Sequence, residues 1–553
     1  MGHALAQSHA TSPPPITLDE AQRLERLRSP ASEDRRLQER ERALRQQQEP
    51  TDDARMQREA AGPELRLPEH EAPCFRIHRL TLGGERSQDF QWLLDEADGR
   101  AAGLADSPTD RCLGTQGVNI VLARLQQALV AQGWVTSRVL AAPQDLSNGT
   151  LALTLVPGRV AAVRFADPAG ASTSLRGAIP VRIGDLLNLR DIEQGLENLK
   201  RLPTAEADIQ IEPSASAGAK PGDSDLVVKY VRAFPLRGTL SLDDGGTEAT
   251  GKTQAGATVA WDGPLGINDL AYVSLNHDAF NHSGQGTQGY TAHYSVPYGN
   301  WLLSATASAS DYYQTVAGLD QDYVYSGDSS NLELRAARML YRDAVRKTSA
   351  SVRAFQRSTS NAINDTEIEA QRRRVGGWEL GFNHREFIGS ATLDASFAYR
   401  RGTGAFGSLP APEEMFGEGT SRMRIFTADV SLNAPFQLAD QRLRYSALWR
   451  AQWNRTPLTP QDRFAIGGRY TVRGFDGEMN LMGERGWLLR NDIGWAIPTS
   501  SGPSGAELYV GIDHGEVGGL NHSYGGRTAI ELGMSVPPGS ALAPFSYGYS
   551  IKK

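Results

Sequence analysis

From about Phe234 to Lys553 the chain alternates apolar and polar residues in short segments, and over these roughly 320 residues helical periodicity disappears. Tyr290, Ala292, Tyr294, Val296 and Tyr298 alternate with Thr291, His293, Ser295 and Pro297. Leu508, Val510 and Ile512 alternate with Tyr509, Gly511 and Asp513, and Thr528, Ile530, Leu532, Met534 and Val536 with Ala529, Glu531, Gly533 and Ser535. A period of two sends successive side chains to opposite faces of a strand. Here one face suits lipid and the other carries charge, where a soluble sandwich would need its apolar core. At roughly 20 residues per strand and connection, residues 233–553 predict a transmembrane β-barrel of about 16 antiparallel strands.

Composition permits this and closes other routes. Hydrophobic residues make up 40% of the 553, mean hydropathy is -0.41, and no apolar run approaches the ~18 residues of a spanning helix. Barrel strands span with about 10 alternating residues, so a polar average does not exclude a membrane. A net charge of -7 argues against a nucleic-acid partner, which would demand a basic face.

The chain before the barrel divides by texture. Ala4-Leu5-Ala6 before Gln7 resembles a secretory cleavage site, so residues 1–15 are expected to be a signal remnant and proline-rich lead. Thr17 and Glu20 have the spacing of a capping box, with Leu18, Ala21, Leu24 and Leu27 behind them, which predicts a short helix over 16–28. Residues 29–73 are rich in Arg, Glu and Gln, interrupted by prolines and nearly free of bulky apolar residues. Such a segment cannot bury enough surface to fold alone and is expected to be a flexible tether, helical in patches at most.

From Cys74 two β-α-β-β units follow, over 74–158 and 159–232. The first reads as a strand from Phe75, helices over 90–97 and 118–132, and strands over 136–140 and 150–156. In the second, a strand over 160–165 precedes a helix over 189–202 and strands over 207–211 and 225–231. Each is long enough for one modest core. Cys74 and Cys112, the two cysteines, are too few for a zinc cage and too far apart for a CxxC motif. They could form one disulfide in an oxidising compartment or remain two buried thiols.

Catalytic signatures are missing. Gly246, Gly251, Lys252 and Thr253 fit the phosphate-loop pattern, but that loop needs a helix behind it, and Gln254 to Trp261 alternates as a strand. The segment is expected to be a hairpin connection. There is no GxSxG, HExxH or Cys/His cluster, and the pairs Asp243-Asp244 and Glu413-Glu414 lie in loop-like sequence. No cofactor or catalysis is expected.

The most informative constellation is Ile466-Gly467-Gly468-Arg469-Tyr470-Thr471-Val472-Arg473-Gly474-Phe475. Paired glycines permit a tight turn in what should be a long loop near 466–480, from which Arg473 projects. Alternation places Asp513 on the lumen side. Arg473 and Asp513 are therefore candidate partners pinning an inward-folded loop, the alternative being an exposed arginine in a solvated loop.

Val472-Arg473-Gly474-Phe475 resembles the VRGY/F motif of the two-partner secretion transporters, the TpsB family. Ser241 to Gly246, Pro264 to Asp269, Leu340-Tyr341-Arg342-Asp343 and Gly511-Ile512-Asp513 are similar to further motifs of that family. The resemblance implies an outer-membrane protein with a plug helix, two periplasmic POTRA domains and a 16-stranded barrel holding the VRGF loop in its lumen by an Arg473–Asp513 contact. It implies that the POTRA domains capture the N-terminal secretion domain of a large TpsA-type exoprotein, and that export proceeds without ATP, driven by folding outside the cell. Pro73-Cys74-Phe75, Cys112-Leu113-Gly114, Gln144-Asp145-Leu146 and Arg400-Arg401-Gly402-Thr403-Gly404 resemble the branch serving contact-dependent growth inhibition and haemolysin cargos, which implies a Cys74–Cys112 disulfide. An insertase of the same superfamily would usually carry more periplasmic domains, and a passive porin or receptor barrel would need neither paired α+β units nor a plug.

Overall fold

The computed structural model describes residues 30–49, 53–56, 66–99, 106–168, 172–280, 284–318, 321–468, 470–473, 475, 480–497, 506–519, 522–535 and 545–552. The capped helix expected over 16–28, with Thr17 and Glu20, lies outside the described residues.

The first α+β unit sets the antiparallel pair β1 (Phe75–Ile77) and β3 (Arg111–Leu113) beside a second sheet. That sheet runs β2 (Arg79–Gly84), β5 (Thr150–Val156), β4 (Arg138–Leu140), with β2 and β5 parallel. Helix α2 (Thr115–Ala131) covers it with Val121, Leu125 and Leu129, all fully buried. The helix expected over 90–97 is instead a 3-10 turn, Ser87–Phe90, followed by a single α-turn, Leu93–Glu96. Cys74 and Cys112 are joined, 38 residues apart, one just before β1 and the other within β3. By loop-closure entropy such a link is worth about 4 kcal/mol.

The second unit repeats the plan with β6 (Arg159–Phe165), β8 (Asp223–Arg232) and β7 (Ala205–Pro213) in that spatial order. Its helix α3 (Leu189–Lys200) starts at Asn188, whose side chain accepts from the Arg190 N–H at 2.8 Å, the satisfaction an N-cap provides. The Leu189 N–H donates to the Gly133 carbonyl just beyond α2, so the two units meet helix end to helix start.

The barrel strands are β9 (Leu236–Asp243), β10 (Gln254–Asp262), β11 (Leu270–Asp278), β12 (Gln285–Tyr298), β13 (Trp301–Ala317), β14 (Asp322–Arg342) and β15 (Arg346–Ile363). There follow β16 (Thr366–Glu367), β17 (Arg373–Ile388), β18 (Ala391–Thr403), β19 (Arg424–Leu438), β20 (Gln441–Asn454), β23 (Arg485–Ala496), β24 (Glu507–Gly519), β25 (His522–Ser535) and β26 (Phe545–Lys552). They form one antiparallel 16-stranded sheet: fifteen in a continuous neighbour-to-neighbour path, and the two-residue β16 on β15. Alternation sorts the faces as the sequence expects. Leu240 is 85% exposed and Ile512 54%, toward lipid, whereas Asp513 is 1% exposed. The phosphate-loop look-alike connects β9 to β10, with no helix behind it.

Residues 29–73 differ from the expected tether. Pro30–Gln48 is a 19-residue helix, α1, enclosed by the sheet. It touches β9 through Arg40 and Asp243 (3.3 Å), β13 through Arg45 and Thr306 (3.2 Å), and β22 (Leu481–Gly483) through Arg35 and the Met482 sulfur (2.7 Å). A sheet that reaches one helix from such distant strands is wrapped around it. Further on, Ala54 is buried in a cluster with Ile192, Leu196 and Leu199 of α3 and Leu270 and Tyr272 of β11, so the second unit and the barrel share one core. Leu67 is buried in the first unit, and the Glu71 carboxylate accepts from the N–H groups of Gly114, Gln116 and Gly117 at the start of α2 (2.7, 2.5 and 3.1 Å). Burial pushes the Glu71 carboxyl up, but those three donors outweigh it and hold the group below its usual range. The segment is thus fastened at three places.

Candidate functional site: the barrel lumen

Between β20 and β23 the chain folds inward as a hairpin of β21 (Phe464–Ile466) and β22, paired antiparallel. Phe464, Ile466 and Val472 pack on Leu488, Val517 and Ala529 of the wall. The paired glycines make the expected turn: the Thr471 hydroxyl accepts from the N–H of Gly467 and Gly468 at 3.1 and 3.0 Å. Arg473 then reaches the wall. Its Nε donates to Asp513 Oδ2 at 2.8 Å, and Nη2 donates to Asp513 Oδ1 at 2.7 Å and to Asp492 Oδ1 at 2.6 Å. Phe475 lies under the Arg527 guanidinium, 4.2 Å from ring centre to Cζ. Gly474 lies outside the described residues.

The wall leaves room for this contact. Gly511, Asp513 and Gly515 share the inner face of β24. A Cβ at Gly511 would sit 2.9 Å from Arg473 Nη2, and one at Gly515 would sit 3.0 Å from Val472 Cγ2. Only glycine lets the hairpin lie this close to the strand. The sequence placed Asp513 correctly by alternation. It missed Asp492 and the two glycines, whose signal was the repeated small residue at every second position around Asp513.

Opposite the hairpin the lumen is lined by charge in register. Arg353 lies across from Glu379, and Glu379 across from Arg400, on β15, β17 and β18. Arg353 donates to Glu379 at 2.7 Å and Arg400 to the same oxygen at 2.9 Å. Arg45 of α1 comes within 3.8 Å of Glu333 on β14. A helix with no continuous apolar face is at home in such a channel, where Arg40 and Arg45 meet Asp243 and Glu333 of the wall.

At the base of the barrel Arg342, Lys347 and Arg385 hold the linker and the second unit together. Arg342 donates to Glu197 Oε2 at 2.8 Å, to Glu193 Oε2 at 3.3 Å and to the Ala54 carbonyl at 2.6 Å. Lys347 binds both Glu197 and Asp53, the latter at 2.6 Å, and Arg385 binds Asp53 at 2.9 Å. The sequence singled out Leu340 to Asp343 as a motif but did not assign Arg342 a partner.

A charged channel through a barrel, occupied by its own helix and bordered by a pinned hairpin, with two α+β units at one mouth, defines an outer-membrane polypeptide transporter. Residues 222–539 match the family described as haemolysin secretion/activation protein ShlB/FhaC/HecB, residues 94–158 a ShlB-type POTRA domain and residues 159–213 a POTRA domain. The chain belongs to that secretion/activation family. It is 36% identical over 497 residues to the outer membrane transporter CdiB-2 of Burkholderia pseudomallei strain 1026b, covering 87% of this chain and 82% of that protein. The hemolysin transporter protein ShlB of Serratia marcescens is 25% identical over 441 residues, covering 79% of this chain and 75% of that protein. The solved structure of CdiB from Acinetobacter baumannii superposes with a TM-score of 0.79 at 28% identity, covering 95% of this chain and 99% of that one. The protein is an outer-membrane transporter of the two-partner secretion type, with its POTRA domains in the periplasm.

Proposed function

We propose that this chain exports one large exoprotein of the contact-dependent inhibition, haemolysin or adhesin class, captured in the periplasm through its POTRA domains. The observation that carries the reading is α1, a polar helix held inside the barrel by ion pairs and hydrogen bonds to wall and hairpin. A permanent structural element would be expected to bring an apolar face; a removable plug need not. In this reading α1 closes the resting pore, the Arg473 hairpin sets its shape, and cargo enters as α1 leaves. Folding of the cargo outside the cell supplies the drive, without a nucleotide. The similarity to CdiB proteins, with the motifs around Cys74, Cys112 and Arg401, favours a contact-dependent inhibition toxin as cargo.

The test is export of a filamentous protein encoded beside this gene, in a heterologous host with and without this chain, read by surface protease accessibility. Surface appearance that depends on the chain is expected. Cargo trapped in the periplasm beside a correctly assembled barrel would overturn the reading in favour of an insertase or a passive barrel.

A further inference from the structure

Arg400 and Arg401 are adjacent on β18 and serve opposite faces of the wall. Arg400 points inward to Glu379, whereas Arg401 is exposed on the outer face. In the antiparallel register Arg401 stands directly across from Arg424 on β19. Arg455 continues the row, its N–H donating to the Arg424 carbonyl at 2.9 Å. All three are exposed, on neighbouring strands about 4.8 Å apart. Like charges directly across a strand pair repel, and among the described residues no carboxylate forms an ion pair with any of them. The row is built for an anion that the chain does not itself supply.

Its depth indicates which anion. Immediately inward on the same face lie Tyr399, Phe426 and Trp453, with ring centres 4.8 Å apart for the first pair and 6.1 Å for the second. Trp378 of β17 stands across from Arg401, with its ring 5.6 Å from Tyr399. Farther inward the surface turns apolar with Phe397, Leu380 and Phe382. Aromatic residues in this position mark a membrane interface. The interface is the outer one. Arg342, at the end of β14, touches the periplasmic POTRA domain, so that end of the sheet faces the periplasm. Following the strand path from β14, the end of β18 and the start of β19 face outward.

We propose that Arg401, Arg424 and Arg455 bind the phosphate groups of a phosphorylated glycolipid of the outer leaflet, whose acyl chains lie along the aromatic and apolar belt below. Guanidinium forks match phosphate oxygens in pairs, and the continuity of the row with the lipid-facing belt selects a headgroup over a soluble anion. The bound lipid would fasten the wall at the point where β20 leads into the Arg473 hairpin.

The experiment is native mass spectrometry of the full chain released from detergent, with diphosphoryl lipid A, monophosphoryl lipid A or phosphatidylglycerol added. Wild type is expected to retain diphosphoryl lipid A in preference to the other two. R401Q/R424Q/R455Q should lower that retention about tenfold, and R442Q, at the opposite rim, should not. R424Q alone should lower it about threefold, which keeps the test informative if the triple variant fails to assemble. Equal retention by the R424Q and wild-type proteins, equal binding of phosphatidylglycerol, or displacement of the lipid by inorganic pyrophosphate at the same concentration would each overturn the proposal.

Discussion

Arg473 meets Asp513 through three nitrogens, and one of them is its own backbone amide: N, Nε and Nη2 lie 2.9, 2.8 and 2.7 Å from the carboxylate. The pair therefore fixes the path of the hairpin as well as the side chain. Asp513 is 1% exposed and Arg473 8%, so neither can exchange its partner for bulk water.

Arg473→Ala takes the bidentate cation from buried Asp513, leaving it Arg490 at 3.9 Å, and takes the 2.6 Å partner from Asp492; breaking such a buried pair typically costs about 3 to 5 kcal/mol. The cost should fall on the hairpin and not on the strand ladder. The expected outcome is loss of export with heat-modifiable barrel assembly retained, and faster hydrogen exchange over 464–483. Arg473→Lys should restore little, since a point charge cannot engage both oxygens of Asp513 and one of Asp492 together. Normal export by the alanine variant would remove the hairpin from the mechanism.

Removal of residues 30–48 should open the pore. Apart from Leu44, which packs against the core shared with the second unit, α1 meets the wall through polar contacts, so the barrel should assemble without it. Single-channel conductance in planar bilayers is expected to rise severalfold, and a conductance equal to wild type would show that α1 is not what closes the lumen.

Arg342→Ala removes the donor shared by Glu193, Glu197 and the Ala54 carbonyl. Glu193 then keeps Arg190 as its cation, and Glu197 keeps Lys347 and the Ala54 N–H, a local loss of about 3 kcal/mol by the usual cost of a broken buried pair. Limited proteolysis should cut the segment around 50–66 faster than in wild type. Unchanged cleavage would mean that Lys347 and Arg385 suffice to hold the linker.

Asp191, on the first turn of α3, has its carboxyl pushed up to about 6 by burial first and by the Asp185 carboxylate second, against the pull of Arg342. A raised carboxyl favours the folded state when protonated. This stabilisation is therefore complete below about pH 4, the ordinary range of a free Asp, and is lost as pH rises through 6. The second POTRA domain should resist proteolysis better at pH 5 than at pH 8. Asp191→Asn should flatten the dependence and stabilise the domain at pH 8 by roughly 1 kcal/mol after screening. A profile of the same slope in the variant would assign the effect elsewhere.

What could be read from the residues follows the physics that each reading used. Alternation depends on local geometry alone, so it identified the strands, the faces and the inward position of Asp513, and with the glycine pair it led to Arg473. The POTRA helices were legible for a similar reason, since Val121, Leu125 and Leu129 bury one stripe. The linker failed because its reading assumed that a helix must bury apolar surface. Inside a channel lined by Glu333, Arg353, Glu379 and Arg400 the rule is inverted. The prolines read as interruptions, yet Pro30 is the first residue of α1, where a missing N–H costs nothing, and Pro50 follows its end. Glu41 and Arg45, one turn apart and paired at 2.6 Å, were the other available sign. Arg342 was not legible, because its partners lie about 145 residues away and no local pattern announces them.

The fastening at Asp53 imposes an order of events. Asp53 lies five positions beyond Gln48, a leash of about 17 Å when fully drawn out, while a rod of 19 residues is about 28 Å long. The leash is shorter than the rod. An intact α1 cannot be withdrawn toward the periplasm while Lys347 and Arg385 still grip Asp53, so whatever arrives at the POTRA domains must unhook the linker before the channel can empty.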